Sequence, residues 1–251
     1  MGKQDYTVPA LRRGLDILEL FDRDRRRLSQ NEIAEALRLP GHSVYRFIQT
    51  LLAGGYLERS RDGRYALGSR MVSQGFSYFS SRDLVEIAAE PVSDLCARTS
   101  LSSHLSIREE REVLYIYRAL AQQRVAVNVP IGTRLPCHTT AMGRALLSGV
   151  DTQTLKMLYA SQNLDGYSVP SPSTFPQLID MIAEESDRGW HTSGSDESTA
   201  VAVPVRNTVG AVVAAINVAG PDPVMHRPGM FEELAGELSA SAQIIGEQLS
   251  A

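Results

Sequence analysis

The sequence lacks what marks secreted, disulfide-stapled or membrane-spanning proteins. It has only two cysteines among 251 residues, Cys96 and Cys137, so a framework of several disulfides is excluded. No stretch reaches the roughly 18 consecutive apolar residues of a membrane-spanning helix, and no basic start leads into an apolar run typical of a signal peptide. We therefore expect a cytoplasmic protein that has no membrane partner.

Catalytic and metal-binding patterns are also scarce. None of the histidines is paired with a cysteine at metal-ligand spacing. Cys137 and His138 are adjacent, but neighbours on an extended segment point to opposite faces, so we interpret them as a buried cysteine and a helix-start histidine. Ser195 lacks the flanking glycines of a hydrolase nucleophile elbow. The sequence therefore predicts no enzyme, no metal and no cofactor.

Charge is divided unevenly along the chain. Residues 1–70 carry 13 Lys/Arg and 9 Asp/Glu, a net charge of +4, whereas residues 71–251 carry 12 and 20, a net charge of −8. We call the basic N-terminal part the head and the acidic remainder the body. A basic head fits a domain that approaches a polyanion. The length of the chain allows one large or two modest domains, and the uneven charge favours two.

The N-terminal segment predicts two helices in succession. Apolar residues recur at steps of three and four after Pro9, which predicts an amphipathic helix that ends near Asp22. Ser29 and Glu32 form a capping-box pattern, in which each side chain pairs with an unsatisfied amide at a helix start. The second helix must stop before Pro40, because the residue before a proline is pushed out of the helical region.

A third helix and a hairpin complete this segment. The helix, at about residues 43–53, places its apolar residues on one side and hydrogen-bonding residues on the other, as the second helix of a helix-turn-helix does. Asp62 and Gly63 separate two short strands at residues 56–59 and 64–67. They predict a type I′ turn, whose two central residues both need positive φ. Residues 1–67 are thus predicted to be a winged helix-turn-helix.

The rest of the chain mixes helices and strands. A linker helix is predicted at residues 68–81. A further helix, which contains Pro91, is predicted at residues 84–97. Strands are predicted at residues 103–107, 113–118, 125–129, 200–205 and 209–218. Helices are predicted at residues 140–147, 152–159, 176–188 and 228–249. Residues 82–251 therefore form a second, α/β domain.

A DNA interface is predicted on the head. A helix in the major groove reads base edges through its donors and acceptors, and the residues suited to this are His42, Ser43, Arg46, Gln49 and Thr50. Phosphate contacts are expected from Arg12, Arg13, Tyr45, the helix start at Ser29 and Gln30, and Arg61 and Arg64 beside the hairpin turn. Taken singly, each of these residues also fits a solvated surface position.

The head resembles a known family over most of its length. The segments that carry the resemblance are RGLDILE at 13–19, EIA at 32–34, VYRFIQTL at 44–51, GYLER at 55–59 and GRYALG at 63–68. They resemble the DNA-binding domain of the isocitrate-lyase-regulator (IclR) family. Landmarks continue at lower density as DL at 83–84, EIA at 86–88, GTRLP at 132–136, His138, GRALL at 143–147, Gly189, AVPV at 202–205 and GP at 220–221. On these segments the chain is identified as a member of that family.

The resemblance implies an α/β two-domain protein, with a C-terminal GAF-like domain that has an antiparallel sheet and a small-molecule pocket. It also implies a homodimer or homotetramer on a palindromic operator in double-stranded DNA, where an effector alters DNA affinity or polymerase recruitment. Carried over by position, the pocket is lined by Val127, Leu135, Ala141, Met142, Ser193, Ala200, Asn217 and Ala219. Apolar walls with a few polar anchors are typical of small-ligand sites.

The chain departs from the family pattern in two places. An acidic-rich loop between Gly189 and Pro204 is reduced to residues 193–199, which leaves the pocket assignments there open. Asn217 and Ala219 stand where some relatives that bind short keto acids carry hydroxyl residues, so glyoxylate and pyruvate are not expected. The polar residues of the predicted pocket are Ser193 and Asn217, and the sequence shows no obvious buried arginine. This combination favours a small organic or aromatic acid that is held by hydroxyls and backbone amides.

The sequence thus predicts an effector-responsive transcription regulator, and repression of a catabolic operon is favoured over activation. The effector is expected to change the angle or spacing of paired heads through the linker helix. An aromatic cluster, Phe76, Tyr78 and Phe79, fits either a contact between linker helices or packing within its own domain. The alternative is a small-molecule-binding or enzymatic body whose head assembles it with partner proteins and does not bind DNA.

Overall fold

The computed structural model describes residues 7–22, 24–80, 83–122, 126–165, 171–195 and 197–249, apart from the side chains of residues 76 and 78–80. The chain forms two compact units, Met1–Arg82 and Asp83–Ala251. Within the described ranges, every helix is too short or too polar to cross a membrane. The aromatic cluster predicted for the linker helix falls on side chains outside the described ones.

The first unit contains four helices and a hairpin in its described part. They are α1 (Pro9–Glu19), α2 (Gln30–Leu37), α3 (Gly41–Ala53), β1 (Leu57–Arg59), β2 (Tyr65–Leu67) and α4 (Arg70–Ser80). Helix α1 ends before Asp22, because the Asp22 carboxylate accepts hydrogen bonds from the amides of Asp24 and Arg25, at 2.9 and 2.7 Å. Such local pairing competes with helix formation.

Helices α2 and α3 pack on a small shared core. At the start of α2 the predicted capping box is present: the Glu32 amide donates to Ser29 Oγ at 3.3 Å, and the Ser29 amide donates to Glu32 Oε2 at 2.6 Å. Apolar residues from α1, α2, α3, the hairpin and the segment between α1 and α2 fill the core. These are Ile17, Phe21, Leu28, Ile33, Val44, Ile48, Leu57 and Tyr65.

The wing hairpin is present, but its predicted turn type is wrong. Ser60 N donates to Arg64 O at 2.8 Å, and Gly63 N donates to Ser60 O at 3.0 Å. In this loop only Gly63 has a positive φ, of 82°, whereas a type I′ turn needs two such residues. The Asp62 carboxylate accepts from the Arg64 amide at 3.2 Å. The result is a three-residue loop that ends on a left-handed glycine.

The second unit is built on a six-stranded sheet in the order β5-β4-β3-β8-β7-β6, and every pair in it is antiparallel. Its elements are α5 (Leu84–Thr99), β3 (Ser102–Glu109), β4 (Glu112–Ala119), β5 (Arg134–Pro136), α6 (Ala141–Leu147), α7 (Thr152–Tyr159), α8 (Phe175–Arg188), β6 (His191–Ser195), β7 (Ser198–Arg206), β8 (Val212–Pro221), α9 (Asp222–Met225) and α10 (Met230–Gln248). The predicted combination of a helix-turn-helix head with an antiparallel α/β domain is confirmed.

Helices cover the sheet and bury its apolar residues. A core cluster joins α6, α7 and α8 to Tyr115, Ala202 and Ala215 of the sheet. The next residues along the strands, such as Val201 and Ile216, are also buried and point to the opposite face. Helices α5 and α10 contact each other and the strands β3, β4, β7 and β8. The sheet therefore positions side chains on two covered faces.

One predicted strand is absent from the part of the chain that the structure describes, and two observed strands were not predicted. Residues 126–129 are not a strand, and residue 125 lies outside the described residues. Strands β5 and β6 were not predicted. Strand β5 has only three residues, and β6, with the sequence HTSGS, has no apolar alternation to mark it. Strand β5 pairs with β4, and β6 forms a hairpin with β7, the next strand in the chain. Neither strand has the apolar alternation that local periodicity detects.

Candidate functional site

The exposed face of α3 carries most of the side chains predicted to read bases. His42, Arg46, Gln49 and Thr50 are exposed, and Ser43 is half-buried. The Thr50 hydroxyl donates to Arg46 O at 3.0 Å, so it is partly used within the helix. Within the described part of the chain, no hydrogen bond or ion pair is found for the Arg46 and Gln49 side chains. Both side chains are therefore available to contact a ligand on this surface.

The residues predicted to contact phosphate fall into two groups. Arg12, Arg13, Tyr45 and Arg61 are exposed, and Arg13 has a weak ion pair with Asp16 at 3.7 Å.

The second group is already engaged in holding the head together. Ser29 belongs to the α2 capping box, and Gln30 Nε2 donates to Gly41 O at 3.0 Å, across the turn between α2 and α3. Arg64 pairs with Glu32 at 3.1 Å and also donates to Arg27 O at 3.3 Å. These three side chains therefore position the recognition helix and the wing, and their contact with DNA stays a prediction.

A cavity of about 210 Å³ opens in the second unit. It is lined by all eight residues predicted for an effector pocket: Val127, Leu135, Ala141, Met142, Ser193, Ala200, Asn217 and Ala219. Eight further lining residues were not predicted: Tyr115, Val129, Thr139, Thr140, Gly194, Ser195, Ser198 and Thr199. The carried-over set included one hydroxyl residue, Ser193, and missed five further Ser and Thr residues of the lining. Four of the unpredicted residues, Gly194, Ser195, Ser198 and Thr199, are close in sequence to the predicted Ser193 and Ala200, in the β6–β7 hairpin.

The rim of the cavity is made of hydroxyl groups that are fixed by local hydrogen bonds. Ser193 Oγ accepts from the Ala141 amide at 3.0 Å, which ties β6 to the start of α6. Thr140 Oγ1 caps α6 by accepting from the Gly143 amide at 3.0 Å. Thr199 Oγ1 donates to an Asp222 carboxylate oxygen at 2.7 Å. These bonds fix the positions of the three hydroxyl oxygens.

The segment expected to be a shortened loop forms a hairpin. Residues 191–195 are strand β6, residues 198–206 are strand β7, and Ser195 pairs with Ser198 across the turn. Glu197 takes a left-handed conformation with φ of 57°, which allows the tight reversal. The hairpin supplies Ser193, Ala200 and several unpredicted residues to one wall of the cavity.

A buried arginine is present, contrary to the expectation from the sequence, but it does not line the cavity. Arg144 is fully buried and donates to both Glu185 oxygens, at 2.7 and 3.0 Å, to His138 O at 3.0 Å, and to Thr192 O. Burial by itself raises the pKa of Glu185, but hydrogen bonds from His191 and Arg144 and the Arg144 charge lower it to about 2. The charges of this pair cancel, and the described lining of the cavity contains no charged side chain.

Asn217 and Tyr115 are the largest polar side chains in the lining. Asn217 Oδ1 lies 2.9 Å from Nδ1 of His104, which is completely buried. Burial lowers the pKa of His104 to about 4, although its hydrogen bond with Asn217 acts in the opposite direction. Burial also raises the pKa of Tyr115 to about 12. His104 and Tyr115 are therefore neutral at physiological pH.

Cys137 and His138 lie in a 3₁₀ turn, Cys137–Thr139, and not on an extended segment, so that part of the interpretation is wrong. Both are buried, as is the unpaired Cys96. Burial raises the pKa of Cys137 to about 12. A protonated, buried thiol is a poor nucleophile. Among the described residues, no cluster of three or more metal-ligating side chains is found.

Two family descriptions match the chain. Residues 10–61 match the IclR helix-turn-helix domain, and residues 76–247 match the C-terminal domain of the bacterial transcriptional regulator IclR.

Similar proteins include both a transcriptional activator and a transcriptional repressor. The p-hydroxybenzoate hydroxylase transcriptional activator of Acinetobacter baylyi is 31% identical over 223 residues, which cover 85% of this chain and 81% of that protein. The transcriptional repressor AllR of Salmonella paratyphi A is 24% identical over 216 residues, which cover 84% of this chain and 79% of that protein.

Solved structures share the fold of the whole chain. An IclR homolog from Microbacterium hydrocarbonoxydans, crystallised in complex with 4-hydroxybenzoate, superposes with a TM-score of 0.83 and 23% sequence identity, covering 94% of this chain and 97% of that one. An IclR-type regulator from Alicyclobacillus acidocaldarius superposes with the same TM-score and identity, covering 96% and 98%. At this level of identity the likeness concerns the fold.

Proposed function

This chain belongs to the IclR family of bacterial transcriptional regulators, and from that premise we propose that it binds operator DNA through α3 and senses a small aromatic acid in the cavity of its second unit. The observation that carries the proposal is the convergence of all eight predicted pocket residues on that one cavity. The ligand class proposed is 4-hydroxybenzoate or a close analogue.

The size and lining of the cavity support a small, flat ligand. Its volume of about 210 Å³ lies below the roughly 300–1,000 Å³ of pockets that hold drug-sized ligands. Ala200 and Ala219 pair directly on neighbouring strands and give a shallow floor. Leu135 and Met142 add apolar wall. An aromatic ring fits this setting, since its faces are apolar and its substituents lie in the ring plane.

The polar groups of the cavity suit an acid bound without a counter-charge. Hydroxyls from Ser193 and Ser198 and the Asn217 amide can donate to a carboxylate or a phenol oxygen. Two comparisons point to the same ligand: the name of the Acinetobacter relative refers to p-hydroxybenzoate hydroxylase, and the Microbacterium homolog was crystallised with 4-hydroxybenzoate. We extend that ligand class to this chain.

For the mode of action we propose binding without catalysis, as a homodimer or homotetramer on a palindromic site. Relatives include activators and repressors, and we favour repression that the effector relieves. Domain boundaries at residues 67 and 81 belong to the same proposal: the linker helix passes the state of the effector domain to the paired heads. Half-sites about one helical turn apart are matched only at one head spacing.

The test is an electrophoretic shift with DNA from upstream of the protein's own gene, at two salt concentrations, with and without a panel of small organic and aromatic acids. Tight, salt-sensitive binding that an aromatic acid weakens supports the proposal. Binding that no acid changes leaves the DNA function standing and refutes the ligand class. Failure of the protein to bind any duplex favours a head that serves only for assembly.

A further inference from the structure

We infer that His104 is a positioning residue for the effector site: it locks the Asn217 carboxamide with its NH₂ group toward the cavity. The site then selects a ligand that carries a hydrogen-bond acceptor at that point. This inference rests on the proposed function of the cavity and specifies the ligand chemistry further.

The sheet brings the two residues together. His104 on β3 pairs directly with Asn217 on β8, and side chains of directly opposed residues in an antiparallel pair lie on the same face. Nδ1 of His104 is 2.9 Å from Oδ1 of Asn217. Asn217 lines the cavity, whereas His104 does not and is completely buried. His104 therefore acts on a ligand only through Asn217.

The unpartnered nitrogen of His104 identifies its tautomer. Nε2 is buried and has no hydrogen-bond partner in the described part of the chain. If Nε2 carried the proton, a buried N–H donor would be unsatisfied, and such orphans are rarer in proteins than under-satisfied acceptors. With the proton on Nδ1, the imidazole donates to Asn217 Oδ1 and leaves only a lone pair at Nε2. The His104 ring is further held edge-to-face against Tyr115, with centroids 5.6 Å apart.

The tautomer fixes the Asn217 amide. A rotation of the carboxamide by half a turn would set its NH₂ against the Nδ1–H of His104, so two donors would face each other. Oδ1 therefore stays on the His104 side, and the two N–H groups of Nδ2 face away from it. The residues opposite and beside Asn217, Ala202 and Ala219, carry no side-chain polar atom that could take these protons. Within the described residues no hydrogen bond from Asn217 Nδ2 is found.

The consequence is a fixed donor in a cavity whose other polar groups are mostly hydroxyls, which both donate and accept. A carboxylate or phenol oxygen satisfies the Asn217 donors, whereas an ammonium or amine group would face them with N–H groups of its own. Sites built around a buried hydrogen bond reject analogues that cannot complete it, because the protein group is left unpaired. His104 thus gives the site its preference for acceptors.

The binding arm of the test uses calorimetry on the full-length protein with 4-hydroxybenzoate, 4-aminobenzoate and 4-hydroxybenzylamine as probes. 4-Aminobenzoate replaces the phenol hydroxyl by an amino group, and 4-hydroxybenzylamine replaces the carboxylate by an aminomethyl group, so each puts an N–H donor at one end of the ring. The wild type should prefer 4-hydroxybenzoate by about tenfold or more over at least one of them. Asn217→Asp turns the donor into an acceptor and should erase that preference. Asn207→Asp, in the β7–β8 turn where the side chain already accepts from the Ala211 amide, is the matched control and should leave it unchanged.

The tautomer arm reads His104 directly by nitrogen NMR of protein labelled with ¹⁵N-histidine, with the signal assigned by its loss in His104→Gln. We expect a neutral ring protonated at Nδ1. A ring protonated at Nε2 would overturn the inference. This arm needs no ligand. The tautomer is read from the spectrum of the wild type, and the His104→Gln variant serves only to assign the signal.

The two arms separate the inference from the proposed function. If the wild type binds 4-hydroxybenzoate and Asn217→Asp keeps the same preference, the inference is wrong and the effector class stands. If the wild type binds none of the probes, the effector class is wrong, and the tautomer alone decides on His104. Retained duplex binding and an unchanged thermal midpoint in Asn217→Asp show that a lost preference is not a lost fold.

Discussion

Arg144 and Glu185 form a fully buried, bidentate ion pair that joins α6 to α8, with Arg144 Nε and Nη2 lying 2.7 and 3.0 Å from the two carboxylate oxygens. Glu185 also accepts from the Thr192 amide at 3.0 Å, one residue before Ser193 of the cavity rim. The pair therefore fixes the strand that lines the cavity, and bidentate pairs of this kind are among the stronger hydrogen-bonded contacts.

Replacing Arg144 by leucine should strongly destabilise the second unit. The change leaves the Glu185 carboxylate buried without its main partner, and breaking a buried pair in this way costs about 3–5 kcal/mol. The measurement is the free energy of unfolding in urea.

The matched control is Arg188→Leu, since Arg188 also lies near Glu185, at 3.8 Å, but is partly exposed. Its loss should cost about 1 kcal/mol or less. Equal effects of the two substitutions would mean that the buried pair contributes no more than a surface pair. The double variant Arg144→Leu/Glu185→Leu should recover part of the loss, because no unpaired charge remains.

Stability should depend on pH through His104. Its pKa is about 4 in the folded chain because of burial, against an ordinary 6.5. Between these values the unfolded chain binds a proton that the folded chain excludes, so the free energy of unfolding falls as the pH falls from 6.5 towards 4. The full effect is about 3 kcal/mol at 1.36 kcal/mol per pH unit of pKa difference. Above pH 6.5 this group adds no slope.

The comparison is between the wild type and His104→Gln, unfolded in urea from about pH 7 to about pH 4.5. His138 also has a lowered pKa because it is buried, so the wild-type slope alone is not diagnostic. The stability difference between the two proteins should shrink steadily as the pH falls. Parallel curves would refute a buried, neutral His104.

Arg46 should carry base recognition. It is exposed on α3, and Arg46→Ala should weaken operator binding by about 1–3 kcal/mol, which is roughly 5-fold to 150-fold. Arg227→Ala, an exposed arginine of the second unit, removes the same charge and should leave affinity nearly unchanged. Fluorescence anisotropy with a labelled duplex gives both affinities. If Arg46→Ala bound the duplex as tightly as the wild type, the alternative of a head that only assembles the protein with partner proteins would be supported.

Arg61 and Arg64 should behave differently although both flank the wing turn. Arg61 is exposed, so Arg61→Ala should weaken binding to all sequences and lower the salt-dependence slope by about one. Arg64 is tied to Glu32 and to Arg27 O. Arg64→Ala should therefore lower the stability of the head as well as its affinity. An unchanged slope for Arg61→Ala would remove that residue from the DNA interface.

Local patterns predicted the head well, because its signals lie close together in the sequence. The capping box of Ser29 and Glu32 spans four residues, and the apolar stripe of α3 repeats within one helix. The turn type failed because a side chain decided it: the Asp62 carboxylate accepts from the Arg64 amide, and composition alone does not show that contact.

In the second unit the deciding contacts connect residues far apart in the chain. Arg144 and Glu185 are 41 positions apart, and His104 and Asn217 are 113 positions apart. Periodicity reports only local structure, so neither pair was predictable from it. The floor of the cavity was predicted because the resemblance carried spatial information. Strand β6 was missed, since its polar residues give no alternating pattern.

The most direct test of the account is the affinity of the full-length protein for its operator, measured by anisotropy with and without 4-hydroxybenzoate. The comparison is between the wild type and Ala200→Phe, in which a large side chain fills the cavity floor. Allosteric coupling of about 1–3 kcal/mol predicts a change in wild-type affinity of roughly 5-fold to 150-fold, and Ala200→Phe should bind the duplex normally and ignore the acid. An unchanged wild-type affinity, or the same response in both proteins, would contradict the claim that this cavity controls DNA binding.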